Sequence, residues 1–196
     1  MTKQSTFGAV IRRLTRAAIC LALCMVLPFL TGQIPQIGSA LSPMHIPVLL
    51  GGFLCGPGWA AAVGLVAPLL RFALFGMPPI FPTGLAMSFE LAAYGLISGL
   101  LYARLPKRTG SIYAALLTAM LAGRMVWGVV MAVLMGFSGG TFTFAAFVAG
   151  AFTNAIPGII VHIAFIPPLV LALQKCGLLE APPFRASRCG CVSPTK

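Results

Sequence analysis

Aspartate is absent from these 196 residues, and glutamate occurs twice, as Glu90 and Glu180. Chemistry that runs on two neighbouring carboxylates is thereby excluded. Histidine is almost as scarce, with only His45 and His162. There is no G-x-x-x-x-G-K-[ST] phosphate loop and no H-E-x-x-H pair, so the chain does not hydrolyse ATP itself and has no zinc-protease centre. Charged residues of either sign make up 8% of the sequence, too few to wet the surface of a soluble protein. The six cysteines have no framework spacing. Cys20, Cys24 and Cys55 lie in apolar runs as small hydrophobes, and no disulfide or zinc site is read, Cys189-Gly-Cys191 included.

What is present is oily. Hydrophobic residues make up 59% of the chain and the mean hydropathy is +1.02, values that describe an all-α integral membrane protein. The expected organisation is a single membrane domain over residues 1–174, followed by a polar, disordered cytoplasmic tail over 175–196. The 13 basic residues do not point to nucleic acid, because most sit just outside apolar runs, as they do on the cytoplasmic side of a membrane. The partner they imply is the lipid bilayer, and the location is the cell membrane.

The chain is organised around Leu41 to Gly58, LSPMHIPVLLGGFLCGPG. Pro43, Pro47 and Pro57 each remove a backbone donor and push the preceding residue away from helix. In lipid such a stretch is tolerated only where protein or water covers the freed groups, so it is expected to line a cavity. Taken in order, the spans are expected over Ala17–Leu30 after Arg12, Arg13 and Arg16, then His45–Cys55, Trp59–Phe75, Gly84–Ala103, Ile112–Leu134 and Ala145–Leu173. The first reads as a transmembrane helix rather than a cleaved leader, although small residues follow it. The last is expected to kink at Pro157 and near Pro167-Pro168. Treating Gly56-Pro57-Gly58 as a turn gives six transmembrane helices. It also puts the N-terminus, Arg104 to Arg108 and the tail together on the cytoplasmic side.

Ionisable residues inside spans are functional hypotheses by default. Depth, counted at about 1.5 Å per residue from the outer ends, places Arg71 roughly 7 Å in, Glu90 about 10 Å, Asn154 near 12 Å and Arg124 about 15–18 Å. His45 opens its helix on the same side, whereas His162 falls near the inner end and reads as a packing residue. Thr83, Met87, Glu90 and Tyr94 form one helical stripe, and Met120, Arg124, Trp127 and Met131 another. An acid and a phenol facing a guanidinium and an indole describe a site for a small amphipathic solute with a polar or anionic end. Tyr94 and Trp127 would cover its apolar part, and Arg124 or Arg71 would grip a carboxylate or phosphate. A structural alternative stays open, in which Glu90 neutralises Arg124 or Arg71 and the stripes only pack.

The block Ser42 to Gly58, leading into Val63-Gly64, together with Ala18-x-x-x-Ala22 in the first helix, resembles the substrate-binding S components of energy-coupling factor (ECF) vitamin transporters. Pro43-Met-His-Ile-Pro47 and Gly76-Met-Pro-Pro79 are most similar to the pantothenate-type members. The resemblance implies an S-component-like bundle that captures one vitamin from the outer side and is not an enzyme. It also implies docking through Ala18 and Ala22 onto a transmembrane coupling subunit bearing two ATPases, with no cofactor. Two other readings stand beside pantothenate, an S component for another vitamin such as pyridoxine and a structural or assembly protein without substrate. An intramembrane enzyme using Glu90 and a histidine lacks a metal partner at recognised spacing.

Overall fold

The computed structural model describes residues 3–30, 43–106, 108–138, 143–151, 156–176 and 179. Leu41, Ser42, Asn154 and nearly all of the expected tail lie outside the described residues. Helix α1 runs Lys3–Leu30, so Arg12, Arg13 and Arg16 lie within the helix rather than ahead of it. The guanidinium of Arg16 reaches across to donate to Leu54 O at 3.3 Å, one of the carbonyls that the end of the next helix leaves open.

That next helix, α2, is His45–Cys55. Its 11 residues rise only about 16 Å. It ends at Gly56, whose φ of 88° suits a residue without Cβ. Pro57 then opens α3, Pro57–Phe75, at the position where a missing N–H costs nothing. The Gly-Pro-Gly segment therefore separates two helices, as its composition predicts. Helix α3 closes on Gly76 in the left-handed region, with the Gly76 N–H donating to Phe72 O.

A single π-turn over Ile80–Gly84, with non-helical backbone at Phe81, leads into α4, Leu85–Arg104. Helix α5 is Thr109–Phe137. Over the last expected helix, Ala145–Leu173, the described residues form α6, Phe144–Ala151, and α7, Ile156–Lys175, and residues 152–155 lie outside the described residues. Pro157 is the second described residue of α7. Pro167 and Pro168 fall inside it.

Among the described residues, four helices are long and apolar enough to cross a membrane: Pro57–Phe75, Ile80–Arg104, Thr109–Phe137 and Gly158–Lys175. Helix α4 is the hub, and glycine is what lets the others close on it. A Cβ at Gly64 would collide with the backbone of Leu91, and one at Gly95 with the backbone of Ala60, so α3 and α4 touch backbone to backbone. On the α2 side, Gly52 sits under Ser98, and Gly99 lies against Pro57 and Gly52 O. At one end Phe53 meets Tyr102 edge-on at 5.1 Å, and Gln174 donates to the Tyr102 hydroxyl at 2.9 Å, which ties α7 to α4.

Candidate functional site

Glu90 lies on the face of α4 turned toward α5 and is 1% exposed. A buried carboxylate is expensive unless its charge is met, and here three elements meet it. Tyr94, one turn further along α4, donates its hydroxyl to Glu90 Oε1 at 2.7 Å. Arg124 of α5 brings Nη1 to 3.1 Å from the same oxygen, and His45 at the start of α2 brings Nε2 to 3.6 Å. The two helical stripes therefore face one another. Gly123 makes this possible, since a Cβ there would strike the Tyr94 ring.

The rings extend the cluster. His45 is tilted against Tyr94 with centroids 5.2 Å apart, and it stacks on His162 of α7 at 5.9 Å and 28°. Here the expected depth of His162, though not its packing role, is corrected. Depth was counted along one helix from Ala145, about 25 Å to residue 162. The ring contact instead places His162 level with His45. Nothing in periodicity marks that pairing.

Arg71 is not part of this cluster. Its guanidinium sits 5.9 Å from the Phe29 ring and 5.7 Å from the Phe75 ring and donates to Met25 O at 3.5 Å. Its described contacts are with α1 and its own helix, where it fastens the end of α1 through cation–π attraction. The two-arginine excess expected around Glu90 does not assemble. Trp127, one turn beyond Arg124, stacks on Phe147 of α6 at 6.5 Å and lies against Gly150. Asn154 lies outside the described residues.

Chemically the arrangement is a neutralised ion pair with spare donor capacity. Arg124 Nη1 serves Glu90, while its buried Nε has no hydrogen-bond partner among the described residues. The Arg124 side chain is 13% exposed against 2% for Glu90, so the guanidinium is the more accessible partner. Among the described residues, no group of three or more His, Cys, Asp or Glu side chains is placed to hold a metal. Gly136-Phe-Ser138-Gly-Gly140 has the spacing of a serine-hydrolase elbow. Ser138, however, follows a helix, is exposed and donates to Met135 O at 3.0 Å, which is not the strand-to-helix turn that chemistry needs.

Residues 12–170 match the family model described as ECF transporter, substrate-specific component. The chain belongs to that family. Comparisons with curated proteins and with solved structures gave no match. As an ECF substrate-specific component it is a multi-pass membrane protein and a substrate-binding transport subunit, not an enzyme, and works with an ECF module. On this S component, the buried stripe of α1 is Ala17, Cys20 and Cys24, so the helix turns Ala18 and Ala22 outward. Both are exposed, in a face that includes Ile11, Leu14, Ile19 and Val26.

Proposed function

We propose that this S component captures a small water-soluble vitamin, with pantothenate the best candidate, in a site built on Arg124 and Glu90. Buried donors are almost always satisfied, and Arg124 Nε is a buried donor beside an ion pair that has no partner among the described residues. That observation carries the reading: a ligand carboxylate reaching the guanidinium supplies what is missing, in the planar geometry arginine favours. His45, Tyr94, Trp127 and Asn154 take the remainder of the solute. Arg71 stands apart from this site and holds α1.

The chain crosses the bilayer six times with both termini in the cytoplasm, a topology supported by the grouping of its basic residues. The vitamin enters from the outer side. Release requires docking, through the outward face of α1 at Ala18 and Ala22, on a transmembrane coupling subunit with two ATPases. This assignment is supported by the exposure of that small-residue face and by family membership.

The ion pair itself favours a second reading, in which Glu90 and Arg124 only tie α4 to α5. Calorimetry of the purified chain against a vitamin panel separates the two. Binding of pantothenate or pyridoxine with a rise in melting temperature fits the transport reading. Indifference to every member leaves a structural protein.

A further inference from the structure

We propose that Arg71 binds the phosphate group of a membrane lipid, in the leaflet at the Phe75 end of α3. This site is separate from the Glu90 cluster and does not depend on what that cluster binds. Helix α3 is among the helices able to cross a membrane, and its 19 residues rise about 28 Å, close to the thickness of a hydrocarbon core. Phe75, its last residue, therefore marks one edge of the core, and the Arg71 backbone stands about 6 Å inside that edge. The side chain carries the charge outward along its stem. Its guanidinium lies over the rings of Phe29 and Phe75, in the last turns of α1 and α3.

What the protein supplies to that charge is incomplete. A cation within a span is ordinarily met by an anion or by a water-filled cavity. Glu90 is the one acidic side chain among the described residues, and Arg124 takes it. Arg71 makes a single hydrogen bond among the described residues, from Nη1 to Met25 O at 3.5 Å, although a guanidinium carries five N–H donors. The two ring faces attract the charge and leave those donors unfilled. The same rings show where the missing acceptor comes from. Phe29 and Phe75 are 44% and 40% exposed, and Leu74 beside them 59%; exposed apolar side chains at the end of a spanning helix face lipid. A lipid phosphate is anionic, presents two oxygens to the planar fork of the guanidinium, and leaves its acyl chains to lie along those exposed side chains. Such a lipid would fasten the ends of α1 and α3 together.

The test uses the full chain, purified in an uncharged detergent and stripped of lipid. It is given dioleoylphosphatidylcholine, dioleoylglycerol, which has the same chains and no phosphate, or inorganic phosphate. Native mass spectrometry reads the retained lipid and thermal unfolding reads the stabilisation. The expected result is that phosphatidylcholine is retained and raises the melting temperature, while dioleoylglycerol is shed under the same activation and inorganic phosphate has no effect. Arg71→Met is expected to weaken retention about tenfold, and Arg71→Lys, which keeps the charge without the planar fork, to fall between; the lysine variant carries the comparison if the methionine variant does not fold. A double variant, Arg12→Gln with Arg13→Gln, nearer the other end of α1, is expected to retain the lipid. Wild-type protein that holds dioleoylglycerol as firmly as phosphatidylcholine overturns the proposal without any variant. Undiminished retention in Arg71→Met and Arg71→Lys overturns it too, as does an equal loss in the Arg12 and Arg13 double variant. Stabilisation by inorganic phosphate equal to that by lipid upholds the phosphate site and moves its source from the bilayer to solution.

Discussion

A guanidinium that serves one carboxylate and still has a buried nitrogen to spare is the residue-level fact behind the functional reading. Arg124→Ala is expected to weaken pantothenate binding by about 1.5–3 kcal/mol, the range for hydrogen bonds to a charged group; calorimetry reads it, and unchanged affinity would reduce Arg124 to a helix tie. Arg71 predicts the opposite pattern. Its charge is held by Phe29, Phe75 and a Met25 carbonyl, so Arg71→Met is expected to lower the melting temperature while leaving ligand affinity where it was. Both arginines look alike in a sequence: each lies in an apolar span at plausible depth. What separates them is the direction each helix turns its side chain, and that depends on neighbours. The one-turn spacing of Glu90 and Tyr94, by contrast, was legible because helical geometry alone brings i and i+4 together.

At the scale of the element, the fold depends on helices that approach closer than ordinary side chains allow. Gly64→Ala places a Cβ against the backbone of Leu91, and backbone yields less readily than a side chain. The expected loss is about 1–3 kcal/mol, occasionally more, seen as earlier thermal unfolding of the detergent-solubilised protein. Gly58→Ala, whose added Cβ meets nothing, is the control. The break between α2 and α3 was readable from Gly56-Pro57, since a positive φ followed by an N1 proline has few other uses. A proline in an apolar run reads equally as a kink or as a first turn, so Pro157 leaves the depth of His162 open. The ring stack on His45 moves His162 from the far end of a span to the side of His45.

For the whole molecule, the outward α1 face and the inward Glu90 cluster are separate surfaces with separate predictions. Ala22→Trp adds bulk where α1 is exposed and not where it packs. It is expected to leave vitamin binding intact by calorimetry and to abolish ATP-driven uptake in vesicles that contain the coupling module. Loss of binding in this variant would mean that α1 also shapes the site. By itself the sequence determined that this is a membrane protein, where its helices break at glycine and proline, which polar residues share a helical stripe, and its likeness to the ECF S components. These are properties of composition and local periodicity, and they survive without knowing how helices are rotated. Only the tertiary structure decided that Glu90 pairs with Arg124 and not Arg71, and that His162 stacks on His45. Such pairings are fixed by the relative depth and rotation of helices far apart in the chain, which close packing at a few glycines sets and no single segment encodes.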